Sequence, residues 1–125
     1  MAEHLSLLPD RYAVCRLDPD APTPDWATDS ALSCITRSAT ELSVLCVQTS
    51  VPSGVTAETG WAALVVAGPL AFTAVGVLAS ILQPLAQAEI SVFVLSSFDT
   101  DYILLKQETL TRATNVLMAA GHTIT

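Results

Sequence analysis

The sequence predicts an α+β fold, an antiparallel sheet with helices on one face, on three observations. The second half of the chain alternates short apolar runs with helix-period stripes in the order strand, helix, strand, strand, helix, strand. Each helical stretch carries one apolar stripe, so each must be covered by a sheet face. The first half repeats the strand-turn-strand unit of the second. That order is the split βαβ, or ferredoxin-like βαββαβ, arrangement.

Residues 11–17 combine strand formers with a polar end that meets the Pro- and Asp-rich segment 18–29, an exposed loop with one helical turn around Trp26. Residues 33–36 and 42–47 are β-type runs separated by Arg-Ser-Ala-Thr-Glu at 37–41, which reads as an antiparallel hairpin. Residues 48–60, with Pro52, Ser53 and Gly54 and no apolar period, read as a linker between the halves. The apolar run 62–67 ends in Gly68-Pro69 and reads as a strand buried on both sides. Over 73–88, Val75, Leu78, Leu82 and Leu85 recur at spacings of three or four, which predicts a helix whose last turn Pro84 bends or shortens. Two more strands, 90–96 and 102–106, flank the polar turn at 97–100. A second helix runs from about Glu108 with Leu110, Ala113, Leu117 and Ala120 on one face and Gly121 as its stop, and a short strand follows at 122–125. The two halves echo each other: each second strand is entered by Thr followed by an acid, Thr40-Glu41 and Thr100-Asp101. The expected division is 1–59, a degenerate β-rich half, and 60–125, a complete unit.

Half of the 125 residues are hydrophobic and 14% are charged, which excludes a disordered chain. The net charge is −7, and the basic residues Arg11, Arg16, Arg37, Lys106 and Arg112 are dispersed, so neither nucleic acid nor an anionic membrane finds a positive patch. Residues 61–82 contain no charge, but Gly68-Pro69 interrupts them and no Lys or Arg flanks them, which argues against a membrane span. The start Met-Ala-Glu-His lacks the order of a secretory signal, and the three cysteines, Cys15, Cys34 and Cys46, lie in apolar runs without CxxC spacing. Buried thiols in a reducing cytoplasm are expected, with neither a disulfide framework nor a zinc site.

The chemistry concentrates at residues 96–102, Ser-Ser-Phe-Asp-Thr-Asp-Tyr, where hydroxyls, an aromatic ring and two carboxylates crowd a tight turn. Two readings apply. A carboxylate there pairs with a ligand ammonium while turn backbone supplies further hydrogen bonds, or Asp99 and Asp101 shape the turn through side-chain to backbone bonds. The segment from Gly68-Pro69 to Gly76-Val77-Leu78 is a strand-to-helix connection where a ligand carboxylate could meet helix N–H groups; the alternative is a glycine kept for packing. Glu41, Asp99 and Asp101 are accompanied by no nucleophile, metal-ligand cluster or base, so no enzyme is expected. The histidines, His4 and His122, are placed as solvated terminal residues, and Trp26 and Trp61 as caps on core edges.

Tyr-Ala-Val-Cys-Arg-Leu at 12–17, Thr-Glu-Leu-Ser-Val at 40–44, Gly60-Trp61, Gly-Pro-Leu at 68–70, Gly-Val-Leu-Ala-Ser at 76–80 and Phe-Asp-Thr-Asp-Tyr-Ile-Leu at 98–104 carry a resemblance. Together they resemble bacterial ACT domain-containing proteins with a tandem ACT-like arrangement, related to CASTOR-type arginine sensors. The resemblance implies βαββαβ units that pair side by side, bind amino acids between units, and regulate rather than catalyse. It implies a site of Gly76 and Val77 at a helix start, Ser97, Phe98 and Thr100 in the turn, and Asp101 as partner of the ligand's positive group. Ser43 and Val44 on the matching strand of the first half extend that set. Near Ala79 the arginine sensors carry an acid, and a methyl group there fits a neutral or small amino acid better than arginine. The implied protein is a cytoplasmic, non-catalytic regulatory module without cofactor, working as a homodimer that restores the partner surface the helix-poor first half lacks. A ligand-free oligomerisation or protein-interaction module is the alternative.

Overall fold

The computed structural model describes residues 2–28 and 30–125. Among them are eight strands and two α-helices. The chain divides into two compact units, one formed by Met1–Pro9 with Ala62–Thr125 and the other by Asp10–Trp61.

The first unit has the α+β, ferredoxin-like character expected of it. Its strands are β1 (His4–Leu7), the C-terminal part of β5 (Thr56–Val66), β6 (Phe93–Ser96), β7 (Asp101–Lys106) and β8 (Thr123–Ile124), and its helices are α1 (Val77–Gln87) and α2 (Leu110–Ala119). β6 and β7 form an antiparallel hairpin in which Phe93 faces Leu104 and Ser96 faces Asp101. β7 pairs with β5. β1 lies antiparallel to β5, Leu5 opposite Val66, and parallel to β8, Leu5 opposite Ile124. Sequence reading leaves β1 out because its four residues, His-Leu-Ser-Leu, are too short to show a period; its ladder partners define it.

Period-two alternation puts Leu64 and Val66 on one face of β5 and Ile103 and Leu105 on one face of β7, and these join Leu5, Ile81, Leu85, Ala113 and Leu117 in one core. The helices therefore cover a single sheet face. The stripe anticipated from Val75 shifts in phase. Gly76 takes φ +84° and starts α1 at Val77, so Ile81 and Leu85 become the fully buried pair while Val75 stays 84% exposed. Residue Ile90, expected in a strand, instead closes α1. Glu89 adopts φ +58°, its N–H donates to the Ala86 carbonyl at 3.0 Å, and the Ile90 N–H donates to the Leu85 carbonyl at 3.0 Å. This is the Schellman arrangement, with Ile90 delivered into the core. α2 ends the same way: Gly121 sits at φ +100°, and the His122 N–H reaches the Leu117 carbonyl at 3.1 Å.

That ending buries His122, which is only 3% exposed rather than solvated as expected. The Glu3 N–H donates to its Nδ1 at 3.0 Å, so the ring proton lies on Nε2, 3.0 Å from the Ser80 carbonyl oxygen it donates to. The imidazole thus ties the start of β1 to the first turn of α1.

The second unit is a sheet of β3 (Cys34–Arg37), β4 (Leu42–Val47), β2 (Tyr12–Leu17) and the first part of β5, paired in that order. All its pairings are antiparallel, with Cys34 opposite Leu45, Cys15 opposite Val44 and Cys15 also opposite Ala57. Its described residues include the short 3-10 turns Asp25–Ala27 and Gln48–Ser50 and no α-helix. Ala13, Cys15, Ala27, Leu42, Val44 and Cys46 form its core, with half-buried Trp26 against them. The linker expected over 48–60 is shorter than anticipated, since β5 begins at Thr56. One extra residue in β5 opposes the step from Tyr12 to Val14, and Gly60, at φ +80° with its N–H donated to the Gln48 side-chain oxygen at 2.6 Å, absorbs that bulge. The bulge hides the strand's period in the sequence. Among the described residues no helix is long and apolar enough to cross a membrane.

Cys15 and Cys46 are buried, and Cys34 is partly exposed. Burial first, then the neighbouring Cys46, pushes the Cys15 thiol from an ordinary 9.0 up to about 11, and burial raises Cys46 as well. A raised thiol value means that the fold favours the protonated form. Its contribution is complete below pH 9 and is lost as the pH climbs toward 11. A thiol-specific reagent at pH 8 should therefore modify one cysteine in the native protein and three in denaturant, and urea stability should fall between pH 9 and 11, less steeply in Cys15→Ala. Rapid native labelling of all three would contradict this core.

Candidate functional site

The first unit contains a cavity of about 330 Å³ between the connection from β5 to α1 and the turn from β6 to β7. One wall is Leu70, Ala71, Phe72 and Ala74 with Gly76 through Ala79; the other is Ser96 through Asp101. Two hydrogen bonds bring the walls together. The Thr100 hydroxyl donates to the Val66 carbonyl at 2.6 Å, at the end of β5, and the Leu70 N–H donates to the Asp99 carbonyl at 2.7 Å. Gly68 makes the approach possible, because a Cβ there would lie 2.9 Å from the Asp99 carbonyl oxygen and 3.3 Å from the Thr100 Cβ.

The turn itself is held by Ser97 and Thr100. The Ser97 N–H donates to the Thr100 carbonyl at 2.8 Å, its hydroxyl to the same oxygen at 3.2 Å, and the Thr100 N–H donates to the Ser97 hydroxyl at 3.3 Å. The side-chain bonds that shape this turn thus come from hydroxyls rather than from the two aspartates. The hydroxyl protons of Ser97 and Thr100 are consequently committed to the fold. Asp101, half-buried at the start of β7, accepts from the Ser96 hydroxyl across the hairpin, and a carboxylate has room for further donors.

Opposite the turn, α1 starts at Val77 with no side-chain cap. The Ser80 N–H is the first to bond back, to the Gly76 carbonyl at 2.9 Å. The preceding N–H groups of the first turn have no carbonyl within the helix to reach, and with the helix dipole they make this end favour an anion. Gly76, Val77 and Ala79 border the cavity at this point.

Of the residues singled out from the sequence, Gly76, Val77, Ser97, Phe98, Thr100 and Asp101 line this one cavity. Ser43 and Val44 lie on β4 of the second unit, where Val44 is fully buried in the core and the Ser43 hydroxyl donates to Glu41. Glu41 is thereby placed in a different unit from Asp99 and Asp101. Sequence reading quotes Leu70 only within Gly-Pro-Leu at 68–70 and passes over Phe72 and Ala74, because they lie in a segment without period, and only closure of residues 66–70 onto the turn gives the three a shared surface. Phe72 is the notable addition: its ring meets that of Phe98 edge-on, centroids 4.9 Å apart at 81°. Among the described residues no group of three or more His, Cys, Asp or Glu side chains is arranged to hold a metal ion.

The ACT domain family model matches residues 56–119, which is 64 of the 125 residues. The chain belongs to the ACT domain family. A second family model, that of an N-terminal domain, matches residues 10–54. A crystal structure of an Agobacterium tumefaciens protein is 32% identical over all of this chain and 93% of its own, with a TM-score of 0.95. A Vibrio cholerae protein described as a possible transport protein is 18% identical, covering 96% of this chain and 91% of its own, at a TM-score of 0.77. The ligand-free regulatory subunit of aspartate kinase from Thermus thermophilus is 13% identical, covering 93% and 96%, at 0.65. These last two share the fold. No functionally curated protein matches the sequence. For this ACT chain the matched span contains both cavity walls, so the site is part of the family's own unit.

Gly68→Ala forces backbone against backbone where the walls meet, at a cost of about 1–3 kcal/mol. Chemical denaturation should show that loss. A variant as stable as the parent would mean that the walls are not closed.

Proposed function

We propose that the protein is a non-catalytic regulatory module whose ACT unit binds a small amino-acid-like ligand in this cavity. The observation that carries the reading is the pairing of opposite electrostatic ends across about 330 Å³, a half-buried Asp101 on one wall and the uncapped start of α1 on the other. A zwitterion satisfies both at once, its ammonium on Asp101 and its carboxylate on the N–H groups at Val77 to Ala79. The protons of the Ser97 and Thr100 hydroxyls are held by the Thr100 and Val66 carbonyls, so Asp101 and the α1 N–H groups are the ones assigned to its two charges.

The reading extends to a tandem arrangement, residues 1–59 acting as a degenerate ACT-like half, apart from β1, which pairs with β5 and β8, and 60–125 as the binding unit, in the manner of CASTOR-type sensors. It also takes the protein as cytoplasmic and homodimeric, with ligand occupancy altering how copies or partners associate. Ala79 at the cavity edge supports a neutral ligand over arginine, since a methyl group offers nothing to a guanidinium. A second reading, a ligand-free interaction module, draws on the exposed Phe72, Val75 and Phe98.

Isothermal titration with the twenty amino acids separates the two. At least one should bind, and Asp101→Ala should weaken it by about tenfold or more, as loss of a charge-assisted bond of about 1.5–3 kcal/mol requires. Absence of heat from every amino acid at millimolar concentration would leave the interaction module standing instead.

A further inference from the structure

We propose that the ligand's side chain is uncharged and apolar, that Phe72 and Phe98 form the half of the site that receives it, and that Asp99 and Asp101 turn acidic amino acids away. This rests on the cavity being an amino-acid site and adds which amino acids it takes.

Phe72 is 76% exposed and Phe98 80% exposed, although both are large aromatic residues in a chain that buries most of its leucines. They come from opposite walls, one following β5 and the other inside the turn, yet their rings meet at 4.9 Å. An edge-to-face pair of this kind is favourable, but it leaves most of both rings in water. Exposed apolar surface gathered at the rim of a cavity is surface that a ligand can cover. Leu70, Val77 and Leu78 continue the apolar lining inward. A side chain extending from a zwitterion held between Asp101 and α1 would find hydrocarbon here and no unpaired donor to satisfy.

The charges point the same way. Among the described residues lining the cavity are Asp99 and Asp101 and no Lys, Arg or His. A glutamate or aspartate side chain would add a second ligand carboxylate to a cavity that already has Asp99 and Asp101, with no basic side chain in the lining to pair it. A basic side chain gains little in return, because Asp99 is exposed and surface ion pairs contribute at most about 1 kcal/mol. Covering an aliphatic or aromatic side chain contributes more, up to about 1.5–3 kcal/mol when burial is complete. At about 330 Å³ the cavity is at the small end of ligand pockets, which suits a single amino acid.

Titration of the full chain with leucine, phenylalanine, glycine, glutamate and lysine tests this. Leucine or phenylalanine should bind about tenfold tighter than glycine, and more tightly than glutamate or lysine. Phe72→Ala, at an exposed position, should reduce the leucine-to-glycine affinity ratio about fivefold, with Phe98→Ala as a second variant and circular dichroism confirming that each folds. Asp99→Asn should raise glutamate affinity relative to leucine. Binding of glutamate or lysine as tight as leucine, or an unchanged ratio in both phenylalanine variants, would overturn the side-chain assignment while leaving the amino-acid site intact. Failure of all five to bind would overturn this proposal, and the site beneath it falls with it only if none of the twenty amino acids binds.

Discussion

The backbone after β5 and the turn before β7 approach so closely that a Cβ on Gly68 would press on the Asp99 carbonyl. Two hydrogen bonds hold that approach, Thr100 to Val66 and Leu70 to Asp99. Val66 is itself almost fully buried, and the Thr100 hydroxyl supplies its carbonyl with a hydrogen bond of a kind that contributes about 0.5–1.5 kcal/mol net. The cavity exists because satisfying these backbone groups draws two segments some thirty residues apart into one wall-to-wall arrangement, the Thr100 bond alone joining positions separated by 34 residues.

The same bonds decide what the cavity can recognise. The Ser97 hydroxyl donates its proton within the turn and the Thr100 hydroxyl donates to Val66, so neither offers that proton to a ligand, and Asp101 and the uncapped start of α1 stand as the oppositely charged ends. The first turn of α1 is in turn fixed from behind, where the buried His122 donates to the Ser80 carbonyl and accepts from Glu3. A buried imidazole bonded at both nitrogens restrains that helix end. The N-terminal strand, the C-terminal turn and the cavity wall are thereby mechanically joined within one unit.

How much of this was legible beforehand follows from the range of each interaction. The extent of α1, the α2 stripe, the 42–47 strand, the helical turn at Trp26 and the Gly121 stop are set by periodicity and local chemistry, and they appear where the sequence puts them to within a few residues. The cavity's turn was legible as well, because Ser96 through Asp101 concentrates polar side chains in one short stretch. Three features were not. β1 is four residues long, and the start of β5 is masked by a bulge at Gly60, so neither shows a pattern without its ladder partner. His122 looks like a terminal residue until the Schellman turn after α2 carries it inward.

The sequence by itself determined the α+β class, the order of elements in the second half, the stop of α2 at Gly121 and the residues of the chemistry-bearing turn, since these depend on side-chain period and on neighbours within a turn or two. Only the tertiary structure decided that β1 pairs with both β5 and β8, that His122 is buried, and that Phe72 faces Phe98 across a shared cavity. Those outcomes depend on contacts between residues tens of positions apart, and such contacts form only when a common core and the pairing of backbone groups make them cheaper than exposure to water.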